Sequence, residues 1–397
     1  MNKPKVLRII NRFNLGGPTY NVGYLSKYME DEFETLLVGG MKDESEDSSE
    51  FIVEKLGLSP IIIPEMKREI SPKMDRIAYQ KIKKIIEDFQ PDIVHTHASK
   101  SGAIGRLAAA KMRVPIILHT FHGHVFHSYF GKAKTTFYKQ IERYLARKST
   151  KLIAISEIQK QEISQIHNIA PSEKFEIIPL GFDLSRFQLN YKEKRTAFRA
   201  RYKLSPDDIA IGIIGRLVPI KNHELFLKAI QHLTHHSSKK IRAFIIGDGE
   251  SRGIIEQKCR DLSLEFGGND EERLITFTSW IRDVSQVYPG LDIVTLTSLN
   301  EGTPVSLIEA QACNTPIVST NVGGIDNIVL QHKTALLSDL NDQESFCKNL
   351  LKVVENTPLR LSFGEHGWNH VQEKFSHQRL SKDMKQLYHV LLKKHKK

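Results

Sequence analysis

Glu301 and Glu309 stand eight residues apart and flank the turn Gly302-Thr303-Pro304. The apolar run Ile293–Leu296 precedes them, and Val305-Ser306-Leu307-Ile308 follows the turn. This order predicts a buried strand, a turn and a helix, with Thr303 as N-cap and Pro304 as first helical residue. A helix N-terminus offers N–H groups and a partial positive charge, which suits a phosphate. A carboxylate beside a phosphate is repelled unless it faces a different part of the same ligand. Glu309, further along the helix, therefore suits neutral hydroxyls such as those of a ribose. The segment predicts one ligand with an anionic centre and hydroxyl-bearing ends. Two solvated glutamates on a surface turn are the commoner arrangement, so other segments must decide.

Cations supply the next test. Ile213-Ile-Gly-Arg216 leads out of an apolar run, and Lys221 follows near a helix start. Two cations aimed at one spot can neutralise a diphosphate without a metal, Arg through its fork and Lys as a point charge. Asn11-Arg-Phe-Asn-Leu-Gly-Gly-Pro18 places Gly16 and Gly17 after the first apolar run, where backbone can approach a ligand closely. Six histidines lie between His95 and His127, in Asp92-Ile-Val-His-Thr-His97 and the segment that includes Thr120-Phe-His-Gly123. Acids are almost absent there, so a metal site is not expected. For His95 and His119 the reading is a satisfied polar residue at a strand end.

The elements that would position these residues follow an alternating pattern. Strand-like runs cover residues 5–10, 35–38, 61–63, 93–95, 116–119, 152–155 and 175–178 in the first half. A second series covers 210–214, 243–246, 275–277, 293–296, 317–319 and 335–337. Helical stretches lie between, which predicts α/β architecture with parallel sheets. Ligands in such sheets bind beyond the carboxyl ends of the strands, where the residues above fall. Residues 190–208 are polar and basic without a strand-like run, and read as a domain junction. The chain of 397 residues is too long for one ordinary core.

Composition excludes little and localises one feature. Hydrophobic content of 40% and charged content of 26% fit a soluble globular protein. No run is long enough to span a bilayer, and no signal-peptide pattern opens the chain. Cys259, Cys313 and Cys347 are scattered, consistent with a reducing cytosol. The net charge is +11, and between Asp92 and Glu157 eleven lysines and arginines face a single acid, Glu142. Such a patch attracts nucleic acid, anionic lipid or phosphorylated small molecules, but no nucleic-acid-binding signature accompanies it.

Taken in order, these motifs resemble the retaining family 4 glycosyltransferases and their E-x7-E segment, over most of the chain. The resemblance implies the GT-B fold: two Rossmann-like domains facing each other across a cleft. It divides the chain into an acceptor domain at residues 1–190, a junction at 191–208, a nucleotide-sugar donor domain at 209–374, and a basic C-terminal helix at 375–397 that could pack back on the first domain. The implied reaction is metal-independent sugar transfer from a nucleotide-diphosphate donor, UDP by family habit, to a glycan or lipid-linked acceptor in bacterial surface-polysaccharide assembly. No cofactor and no metal are implied, and no D-x-D sequence occurs. Gly16 and Gly17 would approach the diphosphate, with Arg216 and Lys221 neutralising it. Glu301 would contact the donor sugar, Glu309 the ribose, and His122 would orient the sugar. Trp280 and Ile281 match the loop near the base, and Gly302, Thr303, Pro304 and Val305 complete the donor contacts. Asn314 and Ala335 depart from glycines frequent in the family, and Ser279 before Trp280 is a third departure from its pattern.

The basic segment carries a separate expectation. Phe137, Ile141, Tyr144 and Leu145 share a helical face among Lys139, Arg143, Arg147 and Lys148, with Lys132 and Lys134 nearby and Phe126, Tyr129 and Phe130 just before. This predicts docking on anionic lipid at the inner face of the cytoplasmic membrane, against packing of that face into its own domain. A hydrolysing sugar-nucleotide epimerase, a non-catalytic nucleotide-sugar binding protein and a nucleic-acid binder are the other readings.

Overall fold

In this computed structural model, residues 3–13, 17–41, 50–67, 69–122 and 132–395 are described. The chain divides into two compact units, one of Met1–Phe182 with Lys374–Lys397 and one of Asp183–Glu373.

The first unit holds β1 (Lys5–Arg12), β2 (Glu34–Gly40), β3 (Ile61–Ile62), β4 (Ile93–His97), β5 (Ile116–Phe121), β6 (Lys151–Ala154) and β7 (Phe175–Ile177). They form one parallel sheet in the order β3-β2-β1-β4-β5-β6-β7. Every residue of β4 and β5 is buried, as a parallel sheet covered on both faces requires. Alternate side chains serve opposite faces. Val6, Ile93 and Leu118 pack with Leu25 of helix Gly17–Lys27, with Met29 in the turn after it, and with Leu380, Met384 and Leu391 of helix His377–His395. Leu7, Val94 and Ile117 pack on the other side with Ile82 of helix Pro72–Phe89 and Ile104 of helix Ser99–Lys111.

The second unit holds β8 (Ile209–Ile214), β9 (Ile241–Ile246), β10 (Phe266–Gly267), β11 (Ile275–Ser279), β12 (Ile293–Leu296), β13 (Ile317–Thr320) and β14 (Ala335–Ser338). They also form one parallel sheet, in the order β10-β11-β9-β8-β12-β13-β14. Its core joins Ile211, Ile213 and Ile245 to Phe226 and Ile230 of helix His223–His236 and to Phe346 and Leu350 of helix Gln343–Glu355. Both units are thus doubly wound parallel α/β domains. Strand order reverses between β1 and β4 and between β8 and β12, and such switch points open the crevice in which ligands bind.

Three local features differ from the sequence reading. Residues 190–208 include helix Tyr191–Arg201, which clusters with the second unit. Arg195 and Arg199 reach Asp292 at 2.7 and 3.1 Å, and Asp292 also accepts from the Ala210 amide at 2.8 Å. These polar contacts involve charged side chains that carry no strand signal. Strand β10 is two residues long, too short for periodicity to register. At the E-x7-E segment the helix starts at Val305 with Pro304 as N-cap, so Thr303 lies in the turn. Pro304 has φ −68° and ψ 105°, an extended conformation that its ring permits and that ends the turn one residue later.

Candidate active site

In the second unit the loops after β8 and β12 meet at the switch point. The Leu299 amide donates to the Ile220 carbonyl at 2.8 Å, and Thr297 Oγ1 donates to the Lys221 carbonyl at 2.9 Å. These bonds hold Lys221 against the turn that carries Glu301. Lys221 Nζ lies 2.5 Å from Glu301 Oε1, and Ser298 Oγ donates to the same oxygen at 2.6 Å. Both side chains are largely buried, so the pair is only partly screened by water. With Oε1 taken twice, Oε2 is the oxygen left to a ligand hydroxyl among the described contacts.

The turn is shaped by close backbone packing. The Gly324 amide donates to the Glu301 carbonyl at 3.0 Å. A Cβ on Gly323 would fall 1.8 Å from the Glu301 carbonyl oxygen, and its φ of +56° favours glycine as well. Likewise a Cβ on Gly247, at φ +137°, would fall 2.0 Å from the Gly215 carbonyl oxygen. The loops after β8, β9, β12 and β13 therefore stack without side chains between them.

Glu309 is also engaged. Tyr288 OH lies 2.9 Å from Oε2, and Arg186 Nη2 lies 3.3 Å from Oε1. Burial raises the Glu309 pKa above its ordinary value, with Arg186 and Tyr288 opposing that rise. Burial and the Glu309 carboxylate together push the Tyr288 phenol well upward. Both partners were missed from sequence, since Arg186 and Tyr288 belong to short turns without a motif. Arg216 is exposed, Gly302 is exposed and Thr303 and Val305 are half-buried, while Pro304 is buried. Trp280 is exposed and Ile281 half-buried in the loop beyond β11.

Two of the departures from the family pattern have a conformational reading. Asn314 has φ +54° and Ser279 has φ +55°, the left-handed region in which asparagine is the best tolerated non-glycine residue. Ser279 is held there by its Oγ contact to Asp248 at 2.8 Å and by Arg252 at 2.7 Å. Ala335 begins β14 in strand conformation and needs no such tolerance.

The first unit carries the histidines. His95 Nδ1 lies 2.7 Å from Tyr388 OH, and His95 Nε2 lies 2.8 Å from Thr120 Oγ1. His119 Nδ1 lies 2.9 Å from Thr96 Oγ1. These two are buried, hydrogen-bonded strand residues, as read from sequence. His97 Nδ1 faces His122 Nε2 at 2.9 Å. Burial pushes the His122 pKa down to about 4, so the ring is neutral near pH 7. Among the described residues no group of three His, Cys, Asp or Glu is placed to hold a metal ion. Gly16, His124 and His127 lie outside the described residues, and Gly17 begins helix Gly17–Lys27.

Helix Lys132–Lys148 divides the apolar face expected of it. Leu145 and Ala146 are buried, with Tyr138 packed against the core cluster that includes Ala146. Phe137 and Tyr144 instead stay 62% and 49% exposed. Arg147 and Lys148 are exposed beside them, with Lys148 Nζ 5.5 Å from the centre of the Tyr144 ring. The face splits because neighbouring positions on a helix are about 100° apart, so Tyr144 and Leu145 cannot both point at one surface. Phe126, Tyr129, Phe130 and the side chains of Lys132 and Lys134 lie outside the described residues.

Comparison with known proteins matches both halves of the chain. A family described as Glycosyltransferase Family 4 matches residues 15–186, and one described as Glycosyl transferases group 1 matches residues 194–370. The chain is 30% identical over 306 residues to the UDP-Gal:alpha-D-GlcNAc-diphosphoundecaprenol alpha-1,3-galactosyltransferase of Escherichia coli, covering 75% of this chain and 76% of that one. It is 27% identical over 344 residues to the capsular polysaccharide biosynthesis glycosyltransferase CapM of Staphylococcus aureus, covering 84% and 85%. Among solved structures, Anabaena HepE in complex with UDP superposes with a TM-score of 0.80 at 16% identity, covering 97% of this chain and all of that one. The matched sequence and the two parallel-sheet domains lead to one assignment: the chain belongs to the family 4 glycosyltransferases, of GT-B fold.

Proposed function

We propose that this glycosyltransferase moves a sugar from a UDP-sugar to a lipid-linked glycan acceptor, with retention of configuration and without a metal, in bacterial surface-polysaccharide assembly. The observation that carries this reading is the Lys221–Glu301–Ser298 cluster at the switch point of the second sheet. It puts a cation and a carboxylate side by side at the place where a sugar diphosphate presents its anionic and hydroxyl groups.

In this reading Lys221 and Arg216 stabilise the charge that grows on the departing diphosphate, together with backbone N–H groups at the start of helix Val305–Ala312. Glu301 turns to a donor-sugar hydroxyl through Oε2. Glu309 accepts from the ribose, and Arg186 and Tyr288 keep its carboxylate oriented. Trp280 and Ile281 flank the base, and His122 orients the sugar. UDP is favoured because the E. coli relative is named for a UDP-sugar and HepE is described in complex with UDP. The same relative's diphosphoundecaprenol name supports a lipid-linked acceptor.

Calorimetric titration of UDP, GDP, ADP and NAD in EDTA tests the donor site. UDP is expected to bind without metal. Arg216→Ala is expected to weaken it about 10- to 100-fold, the loss of a charge-assisted hydrogen bond, with Glu309→Ala weaker by about tenfold. Binding of NAD alone, or of no nucleotide, would sink the reading.

For the acceptor, the exposed stripe of Phe137, Tyr144, Arg147 and Lys148 supports peripheral docking on anionic lipid. Among the described residues no helix is long and apolar enough to cross a membrane. Vesicle flotation at low salt is expected to favour anionic over neutral lipid. Phe137→Ser with Tyr144→Ser should reduce binding about tenfold or more, the loss of two aromatic insertions. Equal flotation on both lipids would count against docking.

A further inference from the structure

Four aromatic side chains run in line through the first unit. Tyr388 and Thr120 hold the two nitrogens of His95. The His97 ring lies against His95 with centroids 4.2 Å apart, and against His122 with centroids 5.2 Å apart and planes at 28°. His97 is fully buried, and the described contacts give its ring nitrogens a single hydrogen-bond partner, His122. Arg8 Nη1 reaches this line at His95 Nδ1, 3.3 Å away, and among the described residues no carboxylate or cation contacts the His122 ring, whose hydrogen-bond partner there is His97.

Burial pushes both rings toward the neutral form, helped at His97 by neighbouring positive charge. Two neutral imidazoles with facing nitrogens 2.9 Å apart share one proton between those nitrogens. Only two arrangements exist. Either His97 Nδ1–H donates to His122 Nε2, or His122 Nε2–H donates to His97 Nδ1. The far nitrogens, His97 Nε2 and His122 Nδ1, have no partner among the described residues. In the first arrangement His97 Nε2 carries a lone pair and His122 Nδ1 carries the proton. In the second, an unpaired N–H is left on His97 inside the sheet. Orphaned buried N–H groups are rarer than under-satisfied acceptors. His97 ends β4 beside the switch point and is enclosed, whereas His122 follows β5 at the carboxyl edge of the sheet where ligands bind. His122 Nδ1 is shielded from solvent as well, so each arrangement leaves one buried N–H, and the one on His122 is placed at the sheet edge where a ligand oxygen can take it.

We propose that His97 is a positioning residue that donates from Nδ1 to Nε2 of His122 and holds His122 with its proton on Nδ1. His122 then presents a donor to its ligand, not a lone pair. This rests on the reading above that His122 orients the donor sugar, and it adds which atom does so and what fixes its protonation. A free histidine side chain prefers its proton on Nε2, so the Nδ1–H form of His122 is diagnostic.

The test is nitrogen–proton correlation spectroscopy on the full chain with 15N-labelled histidine, with His122 assigned by its loss in His122→Gln. Wild type is expected to show His122 protonated at Nδ1. An asparagine amide occupies the place of imidazole Nδ1, and a glutamine amide that of Nε2. His97→Asn should therefore keep the bond, the tautomer and most of the activity. His97→Gln should return His122 to the Nε2–H form and lower kcat by about tenfold, with the donor KM little changed. His122 protonated at Nε2 in wild type overturns the proposal, as do equal losses in His97→Asn and His97→Gln, which mark a packing role. If His122→Gln retains full activity while the wild-type tautomer is as expected, the assignment of His122 to the sugar fails and the hydrogen-bond assignment stands.

Discussion

Lys221→Ala is expected to lower kcat/KM by about 100- to 1,000-fold, the range for removing one group that stabilises charge developing in a transition state. Two effects add here. The departing diphosphate loses a point cation, and Glu301 loses the partner that neutralises it 2.5 Å away. Glu301 is largely buried, and with Ser298 alone it would repel the diphosphate that must enter beside it. The fall should therefore appear in kcat as well as in donor KM. Glu301→Gln removes the repulsion and the sugar contact together. Lys221→Ala combined with Glu301→Gln should consequently fall short of the sum of the single losses, with a coupling of about 1–3 kcal/mol. Initial-rate kinetics with varied UDP-sugar measure all of these. A loss below about tenfold in Lys221→Ala would remove Lys221 from the charge-stabilising role.

The second large effect concerns stability. Glu142, the one acid in the basic stretch, sits 2.8 and 3.0 Å from Arg106 Nη2. Arg106 is fully buried, and its Nε donates to the Gly102 carbonyl at 2.8 Å. The pair joins helix Ser99–Lys111 to helix Lys132–Lys148, directly under the exposed stripe proposed to dock. Glu142→Ala leaves a guanidinium in the core with no counter-charge, which costs about 3–5 kcal/mol. Urea unfolding followed by circular dichroism should show the midpoint of the first unit's transition fall by about 1–2 M. Replacing both residues, Arg106→Met with Glu142→Leu, should recover most of the loss, because an apolar pair needs no desolvation. A Glu142→Ala midpoint within about 0.3 M of wild type would mean that Arg106 finds another counter-charge.

The two sheets were legible because buried parallel strands are short continuous apolar runs. Each of the expected runs is a strand, while two-residue β10 escaped notice. Individual residues were legible where chemistry is carried by residue type next to a strand end: Lys221 and Glu301, singled out separately, lie together, and His95 and His119 are satisfied core histidines. It was not legible where a partner comes from far along the chain. Arg186 reaches Glu309 across 123 positions, and Tyr388 reaches His95 across 293. Nothing local in either arginine or tyrosine announces such a contact.

The helix Lys132–Lys148 shows the same division within one element. Its amphipathic spacing was plain in the sequence, yet only packing decided that Leu145 enters the core while Phe137 and Tyr144 stay outside. By itself the sequence determined the alternating strands, the order of the strand-end motifs and their charges, because these depend on burial and residue chemistry along short stretches. The tertiary structure alone decided the hydrogen-bond partner of His122, the carboxylate oxygen left open on Glu301 and the counter-ion of Arg106. Hydrogen bonds and ion pairs act over about 3 Å, a distance that only the folded chain sets between residues remote in sequence.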